Sequence, residues 1–265
     1  IYAGVEFEAG SDAGTRAAAA YAALETPSAR RDAAAAMLVA ARCDLRLFTA
    51  ARQAELDGGS KDALGRVPVG SGTARLATNA AARFAATRSA FPGESVTSTA
   101  LLHRWLGLTS EVGAEYERGL RDFPGEAAIH DAYIQWMLDS GQQRALLGSY
   151  SLLVRANPGV TALRWHQGRA LYRCADLARE QGDFAAAKSG YRRSEAVFAE
   201  YGAMAPAGRD GADQWRALCD LACAKVSLTM GDSTAAGDEL LRAADRSAAT
   251  TSYQDGAPVL YDSFG

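Results

Sequence analysis

The sequence predicts an all-α protein: an array of helix–turn–helix hairpins stacked into a solenoid. Three observations carry this reading. Pro124 and Pro158 stand 34 residues apart, and Gly107 and Gly141 keep the same spacing. A period shared by two kinds of chain breaker marks a repeated supersecondary unit rather than one globular core. Alanine is in excess, with runs at 17–20, 33–36 and 80–82; it has the best helix propensity and lets helices approach closely. No stretch alternates apolar and polar residues with Val, Ile or Thr enrichment, so strands have little support.

The clearest unit is 127–158. Its first helix, 128–140, carries Ile129, Tyr133, Trp136 and Met137 at helical spacing. Gly141 ends it, as suits a residue that must turn through positive φ. The second helix, 143–156, puts Leu146, Tyr150 and Leu153 on one face, and Asn157-Pro158-Gly159 breaks it. Residues 93–124 repeat the plan: a first helix at 95–106, a stop at Gly107, and a second helix at 110–122 with Val112, Tyr116 and Leu120. Phe91-Pro92-Gly93 echoes the closing Phe123-Pro124-Gly125, which places another second helix at about 77–90.

Downstream the period stretches to 41 and then 49 residues, at Gly182-Asp183-Phe184 and Gly231-Asp232. A longer first helix at 161–181 and a loose linker at 201–211 absorb the difference. The second helices there are 184–201 and 233–248. The first third is less regular, with helices expected at 13–24, 28–43 and 44–56. Ser28 is suited to cap the second of these, and 58–72 is a Gly- and Ser-rich interruption. Pro258-Val259-Leu260-Tyr261 reads as the start of a further first helix. The expected division is an irregular N-terminal region at 1–91, regular repeats at 92–250, and a truncated repeat at 251–265. The expected core includes Tyr116, Leu120, Tyr133, Met137, Leu146, Tyr150, Phe184, Tyr191, Phe198 and Leu240.

Composition narrows the class. Hydrophobic residues make up 48% of the 265 and charged residues 22%, ordinary for a folded soluble chain. A net charge of −3 and a pI near 5.7 argue against a general nucleic-acid binder. No apolar run reaches the length of a membrane span, and no signal-peptide pattern precedes the first helix. The four cysteines, Cys43, Cys174, Cys219 and Cys223, lie in helical segments without the dense spacing of a disulfide scaffold. They are expected to be buried thiols in a reducing, cytoplasmic setting.

Gly182-Asp183-Phe184-Ala185-Ala186-Ala187 with Tyr191 resembles the turn and second helix of a tetratricopeptide (TPR) repeat: glycine, an aromatic two residues on, alanine five on and an aromatic nine on. Gly141 with Leu146, Tyr150 and Pro158, and Gly107 with Val112, Tyr116 and Pro124, match less fully; Gly231 with Ala236 and Leu240 matches least. The resemblance covers about 93–248. It implies a right-handed superhelical solenoid whose first helices line a concave groove. Ile134 stands where the family has a small residue. The long helices near Trp165 and Trp215 look like the larger-period variants of bacterial regulators. No unit carries the Lys and Asn arrangement with which some repeats of the family clamp a peptide carboxylate.

Carried over position by position, the resemblance implies a groove lined by Arg104 and Trp105, then Asp131 and Gln135, then Arg169, Tyr172, Arg173, Asp176 and Arg179, and finally Lys225. Arg169 and Arg173 share a helix face. With Tyr172 and Asp176 they form a mixed patch suited to an acidic peptide segment; the plainer reading is a solvated face with pairs such as Arg173–Asp176.

No constellation for catalysis or metal binding emerges. His103, His130 and His166 fall on three separate first helices at different positions in their units. Cys219 and Cys223 share a face at i and i+4, but no further Cys or His completes a metal set. The run from Gly65 to Thr73 mimics a phosphate loop, yet Ser71-Gly72 stands where Lys and Ser or Thr are needed and no strand precedes it; it is expected to be a flexible connection. Gly-x-Ser-x-Gly is missing, and no carboxylate pair stands out as an acid–base couple.

The expectation is a non-enzymatic scaffold without cofactor or metal that binds a protein or peptide segment along its concave face. No nucleic acid is expected as partner, and a small-molecule ligand stays open. The alternative is a sensor or autoinhibitory region of a larger bacterial protein whose effector domain lies outside this chain.

Overall fold

The structure, a computed structural model, describes residues 2–24, 26–246, 252–254 and 257–259. Eleven α-helices follow one another along them: α1 (Tyr2–Ala22), α2 (Pro27–Gly58), α3 (Ser71–Thr87), α4 (Pro92–Trp105), α5 (Thr109–Asp122), α6 (Ala127–Asp139), α7 (Gln143–Ala156), α8 (Ala162–Glu180), α9 (Phe184–Met204), α10 (Arg209–Thr229) and α11 (Ser233–Arg246). The remaining regular elements among the described residues are a 3-10 turn, Pro206–Gly208, and two antiparallel strands, β1 (Ser252–Gln254) and β2 (Ala257–Val259). Two compact units divide within α6, at 1–132 and 133–265. In the first, α1 packs on α2, α2 on α3, α3 on α4 and α4 on α5. In the second, α7 packs on α8, α8 on α9, α9 on α10 and α10 on α11.

The repeated glycines set this order. Gly107, Gly141, Gly182 and Gly231 end α4, α6, α8 and α10, with φ between 69° and 80°, a region that costs an L side chain about 1 kcal/mol or more. Each makes the same pair of closing bonds. At Gly141, its own N–H donates to the Leu138 carbonyl at 3.0 Å and the next N–H, of Gln142, to Met137 at 2.8 Å. Such a turn stops one helix and starts the next after one or two residues. Two of the new helices are capped at once: Asp183 accepts from the Ala186 N–H and Asp232 from the Ala235 N–H. The register is then common to all four hairpins. Five residues past the glycine stand Val112, Leu146, Ala187 and Ala236, all buried; nine past it stand Tyr116, Tyr150 and Tyr191, buried, and Leu240, partly buried.

The alanine-rich first third packs by close approach. A Cβ on Gly14 of α1 would lie 2.7 Å from the Ala36 carbonyl of α2, and one on Gly10 would lie 2.9 Å from the Cys43 Sγ. Larger side chains would push these helices apart. Leu38, Ala41, Phe48, Ala80, Phe84 and Leu102 form the core that α2, α3 and α4 share.

Several boundaries differ from expectation. Residues 28–56 form one helix rather than two, because Asp44 does not break it: the carboxylate is turned inward, where Ser11 Oγ donates to it at 2.7 Å and Arg83 approaches at 2.7 Å. Thr26 caps α2, accepting from the Ala29 N–H at 3.1 Å, with Pro27 in the first turn; Ser28 lies inside the helix. The expected linker at 201–211 is nearly all helical, interrupted by the single 3-10 turn. The end expected for the last helix, 247–248, falls outside the described residues, as do Leu260 and Tyr261. Val259 and Pro258 belong to β2 rather than to a new helix. Of the expected core residues, Phe184 and Leu240 are partly buried against their clusters and the others are buried.

The second unit buries charge as well as apolar surface. Asp220 on α10 is wholly buried and meets three guanidiniums: Arg192 at 2.5 Å, Arg246 at 2.7 Å and Arg242 at 3.4 Å. Glu239 on α11 receives Arg192 at 2.7 Å, Ser227 Oγ at 2.8 Å and Lys188 at 3.1 Å. Glu195 joins the set through Arg216 and Arg246, each at 2.9 Å. Removing one partner of such a set strands the others, whereas an exposed pair contributes little. Asp220→Ala is therefore expected to lower unfolding stability in urea by about 3 kcal/mol. Arg42→Ala, which deletes the exposed pair with Glu94, is expected to lower it by less than about 1 kcal/mol.

Candidate functional site

The ten residues expected to line one groove occupy several settings. On α8, side chains that share a helix face in projection are claimed by different neighbours. Arg169 lies over the Trp215 ring, 5.9 Å from its centroid. Tyr172 does not stand out as a platform. It packs against the core of α8, α9 and α10, with ring centroids 5.2 Å from Tyr191 and 5.4 Å from Trp215, and burial pushes its hydroxyl pKa up. Trp215 also stacks on Phe198 at 5.2 Å and meets Trp165 edge-on at 6.2 Å. The lengthened helices thus carry an extra aromatic layer. Gly168 makes room for it, since a Cβ there would lie 2.8 Å from the Phe198 ring.

Asp176 and Arg179 are tied to the same layer. The Tyr191 hydroxyl donates to Asp176 Oδ1 at 2.7 Å and accepts from Arg179 Nε at 3.3 Å. Burial raises the Asp176 carboxyl pKa from its ordinary value, while the Tyr191 hydrogen bond and the nearby Arg179 and Arg173 pull it back in part. Arg173 remains at the surface and donates to Gln135 Oε1 at 3.2 Å across to α6.

A cleft of about 250 Å³ opens between α6 and α8, lined by Gln135, Leu138, Asp139, Arg173, Asp176, Leu177 and Glu180. It joins three of the expected residues, Gln135, Arg173 and Asp176. It also adds Asp139 and Glu180, which the sequence pattern did not single out. Its lining carries three carboxylates against one guanidinium, so the local field is negative and not the Arg-rich field expected for this helix. Asp139 is itself bonded by the Gln135 amide at 2.7 Å. Lys225 is half-buried on α10 and Asp131 exposed on α6; neither lines this cleft.

Arg104 and Trp105 lie at the end of α4 in the first unit, beside a different cleft of about 920 Å³. The segment 59–70 forms its other wall, and it is a pinned loop rather than a slack one. Arg52, buried in α2, donates to the carbonyls of Val67 at 2.8 Å, Pro68 at 3.0 Å and Trp105 at 3.4 Å, and pairs with Glu55 at 2.9 Å. Glu55 in turn accepts from the Gly70 N–H at 3.0 Å and from Thr73 Oγ1. The Thr73 bond contributes most to holding the Glu55 carboxyl below its ordinary pKa. An Arg and a Glu three apart gave no sign in sequence of reaching a loop fifteen residues on.

Among the described residues no three His, Cys, Asp or Glu side chains gather so as to hold a metal ion. His130 Nε2 donates to the Pro124 carbonyl at 2.9 Å. Cys219 and Cys223 face α9. Cys219 Sγ lies 3.4 Å from Ser194 Oγ, and burial pushes both thiols up to about 12. No helix among the described residues is long and apolar enough to cross a membrane.

No protein-family model matches the chain. No curated protein matches it either. Among solved structures it is similar to a monomeric mutant of IFIT1 with m7Gppp-AAAA in the anti conformation of the cap, at 12% identity and a TM-score of 0.35, over 82% of this chain and 50% of that one. The chain thus spans half the length of that protein.

Two expectations follow. Arg52→Ala should free the loop, so that trypsin cleaves after Lys61 and Arg66 several times faster while helicity by circular dichroism is kept. The buried thiols stay protonated in the folded chain when an unfolded chain, with thiols near 9.0, ionises. Their stabilising effect is complete below that value and is lost as pH rises toward 12. The urea midpoint should therefore fall between pH 9 and 12, and fall less steeply in a Cys219→Ala, Cys223→Ala double variant.

Proposed function

We propose that the chain is a helical-repeat scaffold that captures a segment of a partner protein, and that the α6–α8 cleft is one place where it does so. The observation that supports this is the convergence of Gln135, Asp139, Arg173, Asp176 and Glu180, drawn from two first helices, around one open recess. A recess of that size admits one or two side chains. Its apolar floor, Leu138 and Leu177, suits the methylene stem of a Lys or Arg, and its three carboxylates suit the charged head. The segment in this reading is basic, because Asp139, Asp176 and Glu180 outnumber Arg173, the one guanidinium of the lining, and the other two α8 arginines expected in the groove are engaged: Arg169 on Trp215 and Arg179 on Tyr191. A cation seated beside Asp176 would also offset the desolvation that raises its pKa.

The test is a peptide array of short segments varying in Lys, Arg, Asp and Glu content, read with the purified chain. Lys- and Arg-bearing peptides should be retained over acidic ones. Asp139→Asn with Glu180→Gln should weaken the best of them by about tenfold, equal to about 1.4 kcal/mol, with helicity unchanged. Retention that ignores peptide charge, or that survives the double variant, would remove this cleft from the proposal.

A further inference from the structure

We propose that the cleft beneath the 59–70 loop in the first unit is a separate recognition site, built to take an acidic and apolar peptide segment. The proposal rests on reading the chain as a binding scaffold, but not on the α6–α8 cleft.

The recess has a volume of about 920 Å³, within the range of ordinary ligand sites. Its apolar lining is mainly aliphatic: Leu56, Leu101, Leu106 and Leu108, with Trp105 the one aromatic ring. Leu56, Leu101 and Leu108 are 42%, 38% and 40% exposed, so apolar surface is left open to water. The charges around it are mostly positive. Arg52 is consumed by Glu55 and by the carbonyls that fix the loop, and Arg66 is paired with Asp62 at 3.4 Å. Lys61 on the loop and Arg104 on α4 are both exposed, and neither has an acidic partner among the described residues. Two uncommitted cations thus border an open aliphatic recess whose walls Arg52 holds in place.

An occupant must cover the aliphatic surface and bring negative charge to Lys61 and Arg104. A segment alternating Asp or Glu with Leu or Phe does both, because in an extended chain successive side chains point to opposite sides and the two sets can reach different walls. A single-stranded nucleic acid fits less well. It binds by stacking successive bases on several aromatic faces, and this lining offers one indole. The repeat pattern singled out Arg104 and Trp105 but not the loop wall that carries Lys61. Fixing the loop in advance lowers the ordering cost of binding.

The experiment is fluorescence polarisation of the full chain with a labelled Asp-Leu-Asp-Phe-Asp-Leu peptide, its Asn and Lys counterparts, and oligo-dT. The acidic peptide should bind, and binding should weaken as salt rises. The Asn and Lys counterparts should bind at least about tenfold more weakly. Lys61→Glu and Arg104→Glu should each weaken the acidic peptide by about tenfold, while Asp139→Asn with Glu180→Gln should leave it unchanged. Lys61 is on a loop, so its variant reports even if Arg104→Glu perturbs α4. Failure of the acidic peptide to bind, indifference to both charge reversals, or tighter binding of oligo-dT would each overturn the proposal.

Discussion

A positive-φ glycine closing a helix, with the next helix starting at once, is the constraint on which the four hairpins depend. At Gly107, Gly141, Gly182 and Gly231 the backbone turns through a region that side chains with a Cβ avoid. The N–H of the glycine and the N–H of the residue after it point back to the last carbonyls of the helix just ended. Because this fixes where the second helix begins, it also fixes its rotation. The residues five and nine positions on then always face the helix before, which is why Val112, Leu146, Ala187 and Ala236 share one environment and Tyr116, Tyr150 and Tyr191 another. Moving the turn by one residue would rotate the whole second helix by about 100° and expose those side chains.

What varies between hairpins is how the space beside these positions is filled. In the α8–α9–α10 stretch the helices run 19 to 21 residues. The added turns carry Trp165, Phe198 and Trp215 as a second aromatic layer. Beyond it, the α9–α10–α11 contact is held by carboxylates inside a ring of guanidiniums. Asp220 and Glu239 tolerate burial because each accepts from several charged donors at once. This arrangement uses up Arg192, Arg216, Arg242 and Arg246, charges that would otherwise present a basic surface. The same consumption acts on α8, where Trp215 and Tyr191 engage Arg169 and Arg179. The charge left at the surface is therefore a remainder, negative at the α6–α8 cleft and positive beside the 59–70 loop.

Local signals determined much in advance: the helical character, the turns at the four glycines, and the burial of Tyr116, Tyr150 and Tyr191. All of these depend on residues within a dozen positions of one another, and on a backbone preference that glycine states outright. Two of the boundaries that moved did so where packing overruled a local tendency. Asp44 would favour a helix end in isolation, yet Arg83 and Ser11 make it a buried helical residue. The glycines at 202, 208 and 211 suggest a slack linker, yet Gly208 packs against Tyr201 and Gly211 against Trp165.

The candidate sites divide along the same line. That Gln135, Arg173 and Asp176 sit on first helices follows from the sequence alone, as does the absence of a recognisable catalytic motif. The sequence could not say that Tyr172 is packed into the core, that Asp139 and Glu180 join the cleft, or that Arg52 secures a loop and leaves Lys61 and Arg104 uncommitted. Which charges remain available depends on pairs formed between residues tens of positions apart, such as Arg173 with Gln135 and Arg192 with Glu239. Helix periodicity assigns a side chain to a face; only the packing of other helices against that face decides whether it meets water, a ring or an opposite charge.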